Sequence, residues 1–110
     1  MQITVNKTGG FAGVNQQLGP VETSSLDSQV ASDINRMLRE VDFFNLPGSL
    51  GKTGQMSDAF YYAIHVVDGS RNHTVQMGDD STGSAADKLH ELIKLLEQAV
   101  GYGDQGAADA

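Results

Sequence analysis

A chain of 110 residues can bury one modest hydrophobic core, so a single folding unit is expected. It has no cysteine, which excludes disulfides, thiolate nucleophiles and cysteine-based metal sites. Fourteen acidic residues against seven basic ones give a formal charge of −7, a balance that repels phosphate backbones and argues against a nucleic-acid partner.

The first residues, Met1-Gln2-Ile3-Thr4-Val5-Asn6-Lys7, show no basic region followed by an apolar stretch, and no apolar run approaches the ~20 residues of a membrane span. A cytoplasmic location without a membrane partner is therefore expected. Ile3 and Val5 alternate with Gln2, Thr4 and Asn6, the period-two pattern of a half-buried strand. Gly9-Gly10 supplies a turn, and Val14, Gln16 and Leu18 continue as a second strand that Gly19-Pro20 ends or bends. Ser24, Ser25 and Asp27 are N-cap candidates for a helix whose stripe is Val30, Ile34, Met37, Leu38 and Val41. That helix is expected to run to about Phe44, where Pro47-Gly48 stops it, and the glycine-punctuated stretch from Asn45 to Ser57 reads as a loop.

Phe60, Tyr62, Ile64 and Val66 share one face of a third strand, and Tyr61, Ala63, His65 and Val67 the other. Both faces are apolar enough to predict a central position. Asp68-Gly69 signals a hairpin, with His73, Val75 and Met77 on the returning strand. After a polar connection from Gly78 to Gly83, Ser84 and Asp87 resemble a capping box ahead of the stripe Leu89, Leu92, Ile93, Leu96 and Val100. The expectation is an α+β domain over residues 1–101 in the order ββαββα. It has a four-stranded antiparallel sheet with two helices packed on one face, and residues 102–110 form a disordered tail. Following chain direction through that order gathers Gly9-Gly10, the 45–57 loop and the 78–83 connection at one end.

Chemistry-bearing patterns are few. His65 and His73 face each other across a hairpin without a placed third ligand, and they read as ordinary strand histidines. Gly48-Ser49-Leu50-Gly51-Lys52-Thr53 lacks the Walker spacing and follows a helix instead of a buried strand. Asp79-Asp80 and Asp104 lack EF-hand spacing, and no serine lies in a nucleophile elbow. The reading is of a protein that is not an enzyme, with no catalytic residue, no cofactor and no metal of its own.

Four segments in order carry a resemblance: Gly9-Gly10-Phe11-Ala12-Gly13, Val41-Asp42-Phe43-Phe44-Asn45-Leu46-Pro47, Phe60-Tyr61-Tyr62, and Val67 to Val75 around Asp68-Gly69-Ser70. Together they resemble emfourin, the family of protein inhibitors of protealysin-like metalloproteases of the thermolysin type, over roughly residues 1–97. The resemblance implies a partner, a protealysin-like zinc endopeptidase that owns the zinc, and an inhibitor that is a monomer when free. It implies reversible, stoichiometric occlusion of the protease cleft. Thermolysin-like enzymes favour a bulky apolar residue after the scissile bond, which gives Gly10-Phe11 the look of a substrate held in a turn. The expected protease-contact set is Gly9, Gly10, Phe11, Leu46, Leu50 and Met56, with Asp79 and Asp80 at its rim. The other reading is an adaptor that pairs an exposed sheet edge with a partner strand.

Overall fold

The computed structural model describes residues 1–9, 13–50 and 60–104. The strands β1 (Gln2–Gly9) and β2 (Val14–Glu22) form the first hairpin, followed by α1 (Ser28–Glu40). A two-residue strand β3 (Ser49–Leu50) precedes β4 (Phe60–Asp68) and β5 (Arg71–Gly78), and α2 (Ser84–Ala99) leads to β6 (Gly103–Asp104). Sheet order is β3-β5-β4-β1-β2-β6. The four long strands are antiparallel to their neighbours, with β4 central as its two apolar faces suggest.

The α+β class and the two helices stand, but the four-stranded count and the simple ββαββα order need correction. Two-residue strands flank the long ones: β3 pairs parallel to β5 through Ser49 and Leu50, and β6 pairs antiparallel to β2 through Gln16 and Gln17. A two-residue ladder has no periodicity to read, so these edges were indistinguishable from loop and tail.

One face of the sheet is buried. Ile3, Val5, Leu18, Ile64, Val66, Val75 and Met77 are wholly inaccessible and join Ile34, Leu38, Leu89, Leu92 and Leu96 of the helices in one core. Each such side chain contributes ~1.5–3 kcal/mol relative to an exposed position. Phe43 is also buried, with Phe44 half-buried beside it at 5.7 Å in an edge-to-face pair. The helices are joined at their surface by Lys88 and Glu40, 2.9 Å apart, and this bond holds the Glu40 carboxyl below its usual range. Among the described residues no helix is long and apolar enough to cross a membrane.

Among the described residues no helix packs on the other face of the sheet, and the positions along its centre carry no Asp, Glu, Lys or Arg. Period-two alternation places Thr4 and Asn6 of β1, Ala63 and His65 of β4, and Thr74 and Gln76 of β5 there, in matched register. His65 therefore lies opposite Thr74, while His73 lies opposite Val66 on the buried side. The two histidines sit on different faces and cannot share a ligand.

Local chemistry moves three boundaries. Asp27 caps α1, its carboxylate accepting the Gln29 amide at 3.0 Å, a bond typically worth ~1 kcal/mol. The helix stops at Glu40 rather than near Phe44, because Asp42 takes a left-handed conformation (φ 53°) and a 3-10 turn, Phe43–Asn45, follows. Aspartate tolerates that conformation better than most residues, and the Asn45 amide donates to both Asp42 oxygens. The capping box does not form: Gly83 is the N-cap of α2 and makes no side-chain bond, and Ser84 is already helical. With α2 ending at Ala99, Val100 is left 48% exposed instead of continuing the core stripe.

Strand β2 runs past Gly19-Pro20 through a register shift and a cis peptide bond. Gly19 has φ +91°, and a Cβ there would lie 2.5 Å from the Ile3 carbonyl oxygen, so the close approach of the two strands requires glycine.

Candidate functional site

Register fixes which connections share an end. Gly9 pairs with Phe60, Tyr61 with Gly78, and Leu50 with Met77. Gly9, Leu50, Phe60 and the Gly78–Ser81 turn therefore border one end of the sheet. The opposite end carries Gly69, Ser70 and the N-terminal amine, which is 2.9 Å from Glu22.

The Gly78–Ser81 turn is braced by its own atoms. The Ser81 amide donates to the Gly78 carbonyl at 3.0 Å, closing a four-residue turn with Asp79 and Asp80 at its centre. Ser81 is buried to 6% exposure, and its hydroxyl accepts the Gly78 amide at 3.0 Å while donating to the Leu50 carbonyl at 2.7 Å. One hydroxyl thus ties the turn to β3. A Cβ at Gly78 would lie 2.8 Å from an Asp80 carboxylate oxygen, which would have to swing aside, and 3.1 Å from the Tyr61 ring.

Asp79 ties the turn to β4. Its backbone amide donates to the Phe60 carbonyl at 3.0 Å, and its carboxylate accepts the Phe60 amide at 3.2 Å. Burial raises the Tyr62 hydroxyl above its usual pKa, and the neighbouring Asp79 charge and hydrogen bond push it the same way.

The expected contact residues fall into three groups. Gly9, Leu50, Asp79 and Asp80 are brought to the same end. Leu50 is half-buried against the core, whereas Asp79 and Asp80 are exposed. Leu46 is set apart: its carbonyl accepts from His73 Nε2 at 2.6 Å, well along β5 from the turn. Gly10, Phe11 and Met56 lie outside the described residues.

Sequence reasoning missed Ser81, Lys7 and Tyr102. Ser81 follows Gly-Asp-Asp and looks like any turn serine, and its partner is 31 residues away. Lys7 reads as a polar strand position. Its ammonium lies 4.3 Å from the Phe60 ring centroid, 6.0 Å from Tyr62 and 5.4 Å from Tyr102. Nothing short of the fold relates Lys7 to Tyr102. Among the described residues no cluster of three or more His, Asp or Glu could hold a metal ion.

A rigid α+β scaffold bearing a braced turn with two exposed carboxylates has the build of a recognition domain. A sequence model of the Emfourin family matches residues 5–98, so the chain belongs to that family. Membership implies a protease-inhibitor role. No curated protein and no solved structure matches the chain.

Proposed function

We propose that this protein is a reversible, stoichiometric inhibitor of a protealysin-like zinc metalloprotease of the thermolysin family, and that it works by occluding the active-site cleft. Family membership supports the inhibitor role. The mode of action rests on one observation, the braced end at which Ser81 ties the Asp79-Asp80 turn to Leu50. An inhibitor that is not itself turned over needs a preorganised surface of ~800 Å² per partner, because ordering loops on binding subtracts from affinity. Here the ordering is done beforehand by backbone and hydroxyl bonds.

In this reading Leu50 offers apolar contact, and Asp80 brings a carboxylate toward the partner's basic groups or zinc. Gly9, Gly10, Phe11 and Met56 complete the proposed contact set, with Asp79 holding the turn. Leu46, bound to His73, serves the fold instead. The edge-pairing alternative is narrowed but keeps room, because the short strands occupy only Gln16 and Gln17 of β2 and Gln76 and Met77 of β5.

Titration against a protealysin-like protease and against thermolysin, with residual activity measured, tests the proposal. The expected result is a linear loss of activity to a one-to-one end point, reversed on dilution and indifferent to added zinc. Cleavage of the protein as a substrate, or inhibition that free zinc abolishes, rules the proposal out.

A further inference from the structure

The cluster around Lys7 joins three parts of the chain at the braced end. In β1, Lys7 pairs with Tyr62 of β4 on one side and Gln16 of β2 on the other. Its ammonium is surrounded by the rings of Phe60, Tyr62 and Tyr102, and a cation beside aromatic faces is attracted by their electron density. Tyr102 reaches it because Gly101, at φ +87°, turns the chain back after α2. The Tyr102 hydroxyl then donates to Glu97 at 2.7 Å, and Gly103–Asp104 pairs with Gln17 and Gln16. Phe60, nearest of the three rings, is the same residue whose amide the Asp79 carboxylate holds.

We propose that Lys7 and Tyr102 are positioning residues for the inhibitory end. Lys7, held by the returning C-terminal segment, fixes the Phe60 ring and so keeps the Phe60–Asp79 pair, and the turn it carries, in the binding geometry. This rests on the protease-inhibitor reading above. Neither residue needs to touch the protease. The C-terminal segment then contributes to binding from behind the contact surface.

Amide exchange on the free protein tests the positioning separately from inhibition. Lys7→Met and Tyr102→Ala are each expected to speed exchange of the Phe60 amide by ~10-fold, with Ile64 and Val66 unchanged, and to weaken inhibition by a similar factor. Lys7→Arg and Tyr102→Phe keep the cation and the ring, and are expected to restore both readouts. Unchanged Phe60 exchange in both disruptive variants overturns the proposal. So does a uniform loss of protection across the core, which would mark a general stabilising role, or faster Phe60 exchange with undiminished inhibition. Failure of the unsubstituted protein to inhibit at all overturns the inhibitor reading and this role with it, and is recognised in the titration before any variant is made.

Discussion

Ser81 and Leu50 meet through a 2.7 Å hydrogen bond from hydroxyl to carbonyl, and the same hydroxyl accepts the Gly78 amide at 3.0 Å. Ser81→Ala removes the partner of both groups at a position with 6% exposure. A buried polar group left unpaired costs ~1–3 kcal/mol, so the unfolding midpoint should fall measurably. Inhibition should weaken further than the stability loss explains at temperatures where the variant is fully folded. A protease titration at low temperature beside a denaturant curve checks both.

Asp79 and Asp80 are neighbours with different jobs. Asp79→Ala frees the Phe60 amide and should lower stability, whereas Asp79→Asn keeps an acceptor oxygen and should restore most of it. Asp80→Ala should leave the unfolding midpoint nearly unchanged and weaken inhibition. Equal effects of the two alanine variants on stability would contradict this division.

The two ends of the sheet make a further contrast. Leu50→Ala should weaken inhibition more than Ser70→Ala or Arg71→Ala. Arg71 pairs with Asp68 at 3.0 Å and lies over the Phe44 ring at 4.3 Å, away from the braced turn. Inhibition constants for the three variants decide it. A scan dominated by Ser70 and Arg71 would place docking at the hairpin end.

Phe11 belongs to the proposed contact set on sequence grounds. Phe11→Ala should weaken inhibition at least ~10-fold with little change in midpoint, because a core phenylalanine would instead cost ~3–5 kcal/mol of stability. A large midpoint shift would assign Phe11 to the core.

Alkaline pH offers an independent readout of the Lys7 cluster. The Tyr62 and Tyr102 hydroxyls are both raised above 10.0, chiefly by burial, and after that by Asp79 for Tyr62 and by Glu97 for Tyr102. Below that value both folded and unfolded chains keep the protons. Above it the unfolded chain releases them first, so folding stability should fall as pH rises past about 10. Tyr102→Phe removes one of the titrating groups and should make the decline shallower, measured as denaturation midpoints across that range.

Periodicity carried much of the fold. Ile34, Met37 and Leu38 on α1, and Leu89, Leu92 and Leu96 on α2, lie in the core as their spacing implies. It could not reveal that Asp42 would turn left-handed and end α1 early, since an aspartate in helical spacing looks helical. Nor could it find Gly103–Asp104 as a strand, because a two-residue pairing with β2 carries no pattern. At the candidate site, counting reversals of chain direction brought Gly9, Leu50 and Asp79 to one end but credited α1 with a climb it does not make. Phe43 and Phe44 after α1 lie beside His73 and Arg71, toward the other end, and the short strand β3, parallel to β5, carries the chain up to Leu50. Leu46 fell outside because its carbonyl is taken by His73. The brace at Ser81 depends on two segments meeting in space, and local sequence does not encode that meeting.

The centre of the open sheet face, with Thr4, Asn6, Ala63, His65, Thr74 and Gln76, carries no Asp, Glu, Lys or Arg in this acidic molecule. On the helices behind it, Asp33, Glu40, Asp87, Glu91 and Glu97 are nearly balanced by Arg36, Arg39, Lys88 and Lys94, so the acidic surplus of the described residues sits mainly in turns and at strand ends, Asp79 and Asp80 among them. A positively charged bead or surface would therefore draw the molecule by the turns and strand ends rather than by its helices. Adsorption from dilute buffer would then cover the Asp79-Asp80 turn on part of the bound molecules, and a cationic support would compete with a partner for the same two carboxylates.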